Sequence, residues 1–79
     1  MIDVKWQDYI TVDPAIMLGK PIIKGTRITV ELIVEKLGYG ETVDELLDDY
    51  PHLTHEAIYA CLRFAARTVH SKQSRKLVA

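Results

Sequence analysis

The side chains of Tyr59, Arg63 and Arg67 lie one helical turn apart, which gives them a shared direction and a possible shared chemistry. At about 100° per residue they fall on one arc of a helix. An arginine guanidinium can donate paired hydrogen bonds to a guanine edge or a phosphate, and a tyrosine hydroxyl can reach phosphate. The spacing therefore indicates a DNA-contacting face, although a row of Tyr and Arg is also typical of a plain solvated helix face.

Two further groups hold residue types that are used in metal binding or nucleophilic catalysis. His52, His55 and Glu56 have the residue types of a zinc site. The two histidines, however, straddle a predicted turn and helix start, and catalytic zinc needs three protein ligands. Cys61 falls among apolar positions, where a thiol is buried and unreactive. We therefore expect no metal site, no cofactor, no catalytic residue and no enzyme activity.

Cations outside this arc could contact the DNA backbone. They lie in a predicted hairpin and in the C-terminal tail: Lys24, Arg27, Lys72 and Arg75. Arg27 has a second interpretation, because a guanidinium also pairs well with a carboxylate. A pair with Asp13 or Glu31 would hold the hairpin against the helices, and both roles of Arg27 stay open at this point.

Three helices are predicted from capping residues and apolar periodicity. Thr29 is the predicted N-cap of a first helix that runs through Leu37. Thr42 and Glu45 have the spacing of a capping box at the start of a second helix, and Pro51 stops that helix. A short turn then leads to the third helix. Two helices joined in this way are typical of a helix-turn-helix, which presents its second helix to the major groove.

The third and longest helix is predicted to begin after Thr54. Leu53 and Ile58 have the spacing of a hydrophobic staple, which sets the angle at which the chain enters the helix. The core-facing stripe is predicted to be Ile58, Cys61, Leu62, Ala65 and Val69. The outward arc is predicted to be Glu56, Tyr59, Arg63, Arg67 and His70. The acid at Glu56 counts against insertion of this helix into the major groove, because it lies near the N-terminal end that normally meets the bases.

The segment before the helices is predicted to contain short, mostly extended pieces. Tyr9–Val12 is rich in β-prone residues, and Asp13-Pro14 with Gly19 marks a single helical turn. Residues 21–23 and 27–29 are predicted to pair as a hairpin around Gly25. The predicted fold is therefore mainly α: a small three-helix helix-turn-helix bundle, homeodomain-like, with an N-terminal β-hairpin.

Length and composition favour one domain over residues 1–79. Residues 8–29 form the strand, turn and hairpin, residues 30–70 the helical core, and residues 71–79 a basic tail that we expect to fray. The net charge of -1 conceals an acidic stretch over residues 38–56 and a basic one from residue 57 onward. We find no apolar run long enough for a membrane span, and a lone cysteine fits a cytoplasmic protein.

The run DPAIMLGKPIIKGTRI over residues 13–28 closely resembles a bacterial family known as domain of unknown function 433. The likeness continues through Val30–Leu37, through GETVDELL at residues 40–47, through YPHLT at residues 50–54 and through Ala57–Ala60, and it spans about residues 8–68. The resemblance implies a homeodomain-like or winged-helix-like fold. It also implies a VapB-type antitoxin role beside a PIN-like ribonuclease toxin.

These observations together predict a DNA-binding antitoxin of a type II toxin–antitoxin pair. Its expected partners are operator DNA, a PIN-like toxin and a second copy of itself, since two reading helices give more specificity than one. Two alternatives stay open: a protein-interaction module that neutralises a toxin or another partner without binding DNA, and a plain small transcriptional regulator.

Overall fold

The computed structural model describes the backbone of residues 4–76 and the side chains of residues 4–71. Two short strands precede three helices: β1 (Ile10–Thr11), β2 (Ile22–Ile23), α1 (Val30–Gly38), α2 (Val43–Asp49) and α3 (His55–Lys76). The strands form a two-stranded antiparallel sheet. The predicted fold class, mainly α with three helices and an N-terminal antiparallel strand pair, is confirmed. No helix within residues 4–76 is both long and apolar enough to cross a lipid bilayer.

Each helix begins at the threonine that the sequence indicates. The Leu32 N–H donates to Thr29 Oγ1 at 3.0 Å, which caps α1. The Glu45 N–H donates to Thr42 Oγ1 at 3.1 Å and the Thr42 N–H donates to Glu45 Oε1 at 2.8 Å, which completes the predicted capping box of α2. The first N–H groups of a helix have no backbone acceptor within the helix, and these side-chain oxygens accept hydrogen bonds from them.

A tight turn over residues 50–54 connects α2 to α3. The Leu53 N–H donates to the Tyr50 carbonyl at 2.9 Å, and the Ala57 N–H donates to Thr54 Oγ1 at 3.1 Å, which caps α3. Leu53 and Ile58 are both buried in the main hydrophobic cluster, as the predicted staple requires. The turn therefore fixes where α3 leaves the body of the protein.

The strand pairing differs from the prediction in the identity of the partner. Ile23 pairs with Ile10 and Ile22 with Thr11, so the β-prone run after Tyr9 supplies the second strand. The predicted partner, residues 27–29, contributes one isolated bridge between Ile22 and Thr29. The predicted tight turn is present, with Gly25 at φ +77°. The turn at Gly25 brings residues 27–29 close to β2, but the continuous pairing of β2 is with β1, which is farther away in sequence.

The segment between the strands is not the right-handed helical turn that Asp13-Pro14 and Gly19 predict. Asp13 does act as a local cap, because its Oδ1 accepts from the Ala15 N–H at 2.9 Å. The following 3-10 turn, Met17–Gly19, has positive φ at all three residues: +50°, +59° and +77°. Left-handed backbone is unfavourable for residues with a Cβ, so Met17 and Leu18 are strained. Leu18 is also 95% exposed.

The core lies where α1 and α3 pack on the sheet and on each other. Its largest fully buried side chains are Ile22, Ile33, Leu46, Ile58 and Cys61. The predicted inner stripe of α3 is correct for Ile58 and Cys61 but wrong for Leu62 and Val69, which are 39% and 53% exposed. Helix α3 also extends to Lys76, beyond the predicted end at residue 70. Val69 borders an open groove with Pro21, Val30 and Val34, so it lies on the α1 side of α3 but is only partly covered.

Candidate nucleic-acid interface

The outward arc of α3 carries the arginines that the sequence indicates. Arg63 and Arg67 lie one turn apart on the solvent-exposed side of the helix. Tyr59 differs from its neighbours on the arc, because it is half-buried and packs against the hydrophobic cluster. Its ring also lies near that of His55, with the centroids 6.3 Å apart. The exposed part of the arc is thus centred on the two arginines, with Tyr59 at its inner margin.

The N-terminal segment runs beside these arginines. Val4 is buried, and the Trp6 ring meets the Phe64 ring edge to face with centroids 4.9 Å apart. This contact places Lys5 and Gln7 with Arg63 and Arg67 around one shallow depression of about 280 Å³. A neighbouring depression of about 270 Å³ is lined by Val4, Tyr59, Leu62 and Arg63. The surface here is a shallow, cation-lined hollow, which suits contact with a chain of phosphates more than enclosure of a small molecule.

Lys5 and Gln7 were not among the residues predicted for this surface. They approach α3 only because Trp6 and Val4 pack across it, and such a contact between residues far apart in sequence leaves no periodic pattern. The one signal that the sequence offers is Trp6, a large apolar side chain close to the N-terminus that needs a surface to pack on.

The start of α3 is acidic. Glu56 is exposed in the first turn of the helix, and the preceding α2 carries four exposed acids, Asp44, Glu45, Asp48 and Asp49. The Nε2 atom of His55 lies 3.9 Å from the Asp44 Oδ1 atom, which joins the beginnings of the two helices. Negative charge at these positions repels phosphate. The favourable electrostatic surface for an anion therefore begins about two turns into α3, at Arg63.

The cations near the β2 turn lie in a different place. Arg27 lines a cleft of about 530 Å³ with Asp13, Gly25 and Thr26, and this cleft shares no lining residue with the depressions beside α3. Lys24 is exposed on the same turn. The structure therefore brings Arg63 and Arg67 together and leaves Lys24 and Arg27 as a separate group.

The predicted ion pair of Arg27 with Asp13 or Glu31 is wrong. Glu31 pairs instead with Lys20, Nζ to Oε1 at 3.2 Å, and Asp13 caps its own turn through the Ala15 N–H. Within residues 4–71, Arg27 makes no ion pair. The guanidinium is exposed, so an external anion can reach it.

Two of the predicted phosphate contacts, Lys72 and Arg75, lie outside the described side chains. The backbone at both positions is helical, as part of α3. Their contact with the DNA backbone therefore stays a prediction.

The residues considered for catalysis or metal binding lie apart from the arginine surface. His52 is exposed on the turn, whereas His55 opens α3. Among the described residues, no group of three or more His, Cys, Asp and Glu side chains could hold a metal ion. Cys61 is buried, as predicted, and burial raises the pKa of its thiol to about 12. A thiol in this state is protonated at neutral pH and is a poor nucleophile.

Comparison with known proteins agrees with the family resemblance seen in the sequence. The model of a family described as "Protein of unknown function (DUF433)" matches residues 10–65. The crystal structure of a DUF433 member protein from Anabaena variabilis ATCC 29413 is similar, with a TM-score of 0.77 and 29% sequence identity. The match covers 87% of this chain and 68% of the other chain. No curated protein matches this chain. The family match includes Arg63 and ends before Arg67.

Proposed function

The chain belongs to the DUF433 family of proteins of unknown function, and from this premise we propose that it is a DNA-binding protein that contacts the duplex through α3. The observation that carries the proposal is the position of Arg63 and Arg67. Both are exposed on the helix that follows the α2–α3 turn, and Lys5 lies beside them around one depression. Arginine is the side chain best suited to forked contacts with phosphate or guanine.

The charge distribution limits how α3 can approach DNA. Exposed Glu56 in the first turn disfavours entry of the N-terminal end of the helix, which in many helix-turn-helix proteins meets the bases. The middle of α3, where Arg63 and Arg67 lie, is the part that can approach the backbone without repulsion. We therefore propose that α3 binds DNA mainly through phosphate groups and that contacts with the bases contribute less.

Two finer parts of the proposal come from the family resemblance. We propose that the DNA is the protein's own operator and that the protein acts as an antitoxin beside a PIN-like ribonuclease toxin. Arg27 supports a second contact, because its exposed guanidinium makes no ion pair within residues 4–71 and is available to a phosphate or to a carboxylate of a partner.

The proposal is tested by titrating salt against DNA binding. The wild-type protein is mixed with labelled duplex from the region upstream of its own gene, and with a shuffled duplex of the same length. Each phosphate contact contributes roughly -0.9 to the slope of log affinity against log salt. We expect a slope steeper than about -2, from the two arginines and Lys5, and a higher affinity for the upstream duplex. Absence of binding, or a slope near zero, contradicts the proposal.

A second candidate function is favoured by the exposed apolar tip beyond β1. Leu18 is 95% exposed on strained backbone, and strain of this kind persists mostly where function retains it. A protein-interaction module that binds a toxin through this tip and the acidic α2 would account for both features. The salt titration separates the two candidates, because a module that binds only protein gives no DNA slope.

A further inference from the structure

The cleft beside the Gly25 turn combines apolar walls with two opposite charges. It has a volume of about 530 Å³, and hereafter we call it the Arg27 cleft. Its charged lining among the described residues consists of Asp13 and Arg27. Small-molecule sites usually occupy roughly 300–1,000 Å³ and join apolar walls to a few polar groups, so this cleft has the size and the lining of such a site. The apolar lining residues are Val12, Pro14, Ile16 and Ile22.

The two charges of the Arg27 cleft do not neutralise each other. Within residues 4–71, neither Asp13 nor Arg27 makes an ion pair. Arg27 is exposed, whereas Asp13 is half-buried. One carboxylate oxygen of Asp13 accepts from the Ala15 N–H at 2.9 Å, which leaves the second oxygen to a ligand. A cation and an anion that share a cleft without pairing can each bind the opposite charge of one molecule.

The backbone on the Arg27 side of the cleft is open to a ligand. Gly25 lines the cleft, and no atom beyond its chain neighbours lies within 4 Å of the position that a Cβ would occupy. The missing side chain lets a ligand approach the turn closely. Thr26 fixes the backbone around Arg27, because its hydroxyl donates to the Ile23 carbonyl at 2.8 Å and accepts from the Ile28 N–H at 3.0 Å. The turn therefore offers Arg27 from a defined position.

We propose that the Arg27 cleft binds a small zwitterion with an apolar body, which is the chemistry of a free apolar amino acid or of a short apolar peptide. The ligand carboxylate accepts from the Arg27 guanidinium, the ligand ammonium donates to Asp13, and the apolar side chain packs on Val12 and Ile16. Asp13 disfavours a ligand that is only an anion, and Arg27 disfavours one that is only a cation. The pair of charges therefore selects a molecule that carries both.

This site goes beyond the proposed contact of α3 with DNA. The Arg27 cleft shares no lining residue with the depressions beside Arg63 and Arg67. A ligand carboxylate on Arg27 occupies the guanidinium that we propose for a second phosphate contact. The zwitterion and that phosphate therefore exclude each other at Arg27, whereas the arginines of α3 stay accessible.

The first test is a titration of the full chain, labelled on nitrogen, followed by nuclear magnetic resonance without DNA. Leucine and leucyl-leucine are the zwitterions, and the tighter binder of the two identifies the source of the ligand. Isocaproate and isoamylamine keep the leucine side chain but carry only the carboxylate or only the amine. We expect saturable amide shifts at Val12, Gly25 and Thr26 with the zwitterions, and an affinity at least about fivefold lower for the single-charge analogues.

Variants assign the two charges. Arg27→Gln and Asp13→Asn each lower the affinity for the tighter zwitterion by at least about fivefold. Asparagine keeps the side-chain oxygen that accepts from the Ala15 N–H, so the local turn is retained. Lys24→Gln is the matched control, because it removes an exposed cation of the same turn that does not line the cleft, and it leaves the affinity within about twofold. The amide spectrum of each variant verifies its fold.

Four results would overturn the proposal. Absence of saturable shifts with both zwitterions means that the cleft binds neither. Equal affinity for isocaproate or isoamylamine means that the two charges do not act together. Wild-type affinity in the Arg27 and Asp13 variants places the ligand elsewhere. Inorganic phosphate that shifts the same amides and binds more tightly than either zwitterion makes Arg27 a simple anion contact. No DNA is present in these titrations, so this proposal and the DNA-binding proposal fail separately.

Discussion

The indole ring of Trp6 meets the phenyl ring of Phe64 edge to face, with the ring planes at 82° and the centroids 4.9 Å apart. Edge-to-face contact lets the positive edge of one ring meet the negative face of the other. The pair fastens the N-terminal segment across α3, directly beside the exposed arginines. Through this contact, Lys5 and Gln7 join the surface that we propose for DNA.

A double-mutant cycle measures the strength of this contact. Trp6→Leu and Phe64→Leu each remove a ring while keeping an apolar side chain, and the free energy of unfolding is measured by urea titration for both singles and the double. We expect a coupling of about 1 kcal/mol, the usual range for an aromatic pair beyond its burial. Effects that simply add would show that the rings contribute packing only and do not interact as a pair.

Two substitutions test the backbone strain in the segment between β1 and α1. Leu18 has φ +59° and is 95% exposed, so Leu18→Gly removes left-handed strain with little loss of packing and raises the free energy of unfolding by up to about 1 kcal/mol. Gly25→Ala is its counterpart. Gly25 has φ +77° with open space around its missing Cβ, so the alanine lowers stability by about 1 kcal/mol through strain alone. Changes of the opposite sign in thermal or urea unfolding contradict this description of the backbone.

The buried thiol of Cys61 predicts a loss of stability at alkaline pH. Burial raises the pKa of this thiol from 9.0 to about 12 in the folded chain, so the unfolded chain loses its proton first. Stability from this group is fully present below the unfolded pKa and is lost as pH rises through the interval from 9 to 12. Between pH 9 and pH 10 the loss is about 1 kcal/mol.

The matched control for the thiol is Cys61→Ala, which begins from lower stability because it leaves a small cavity. Subtracting its urea-unfolding profile from that of the wild type isolates the thiol from the tyrosines and lysines that also titrate there. A difference that stays constant from pH 8 to pH 10 would show that the thiol is exposed to solvent.

The helix boundaries could be predicted because their signals are local. Thr42 and Glu45 satisfy each other's backbone N–H groups within one turn, so a four-residue pattern is enough to specify the start of α2. The same holds for Thr29 and Thr54, whose hydroxyls accept from N–H groups three residues later. Burial of Leu53 and Ile58 likewise followed from their spacing.

The predictions that were wrong or incomplete concern contacts between residues far apart in sequence, and a local pattern carries no information about such contacts. The partner of Ile23 is Ile10, which is brought close by a strained turn that the Pro and Gly positions do not describe. Periodicity placed Val69 on the inner face of α3 but could not show that this face is only partly covered there. The two arginines of the surface that we propose for DNA were predicted, whereas Lys5 depends on the packing of Trp6 and was missed.

The most direct test of the proposed function compares the DNA affinity of an Arg63→Ala, Arg67→Ala double variant with that of the wild type. Both side chains are exposed, and circular dichroism verifies that the variant keeps its fold. The shuffled-duplex control from the salt titration is retained. Lys36→Ala is the matched control, since it removes one positive charge from the end of α1, where Lys36 pairs with Glu41 at 3.4 Å.

We expect the double variant to lose at least about tenfold in affinity and to have a salt slope shallower by roughly 1.8, two phosphate contacts at about 0.9 each. Lys36→Ala keeps both the affinity and the slope close to wild type. An affinity within about twofold of the wild type, with an unchanged slope, would contradict the proposal that α3 meets DNA through these arginines.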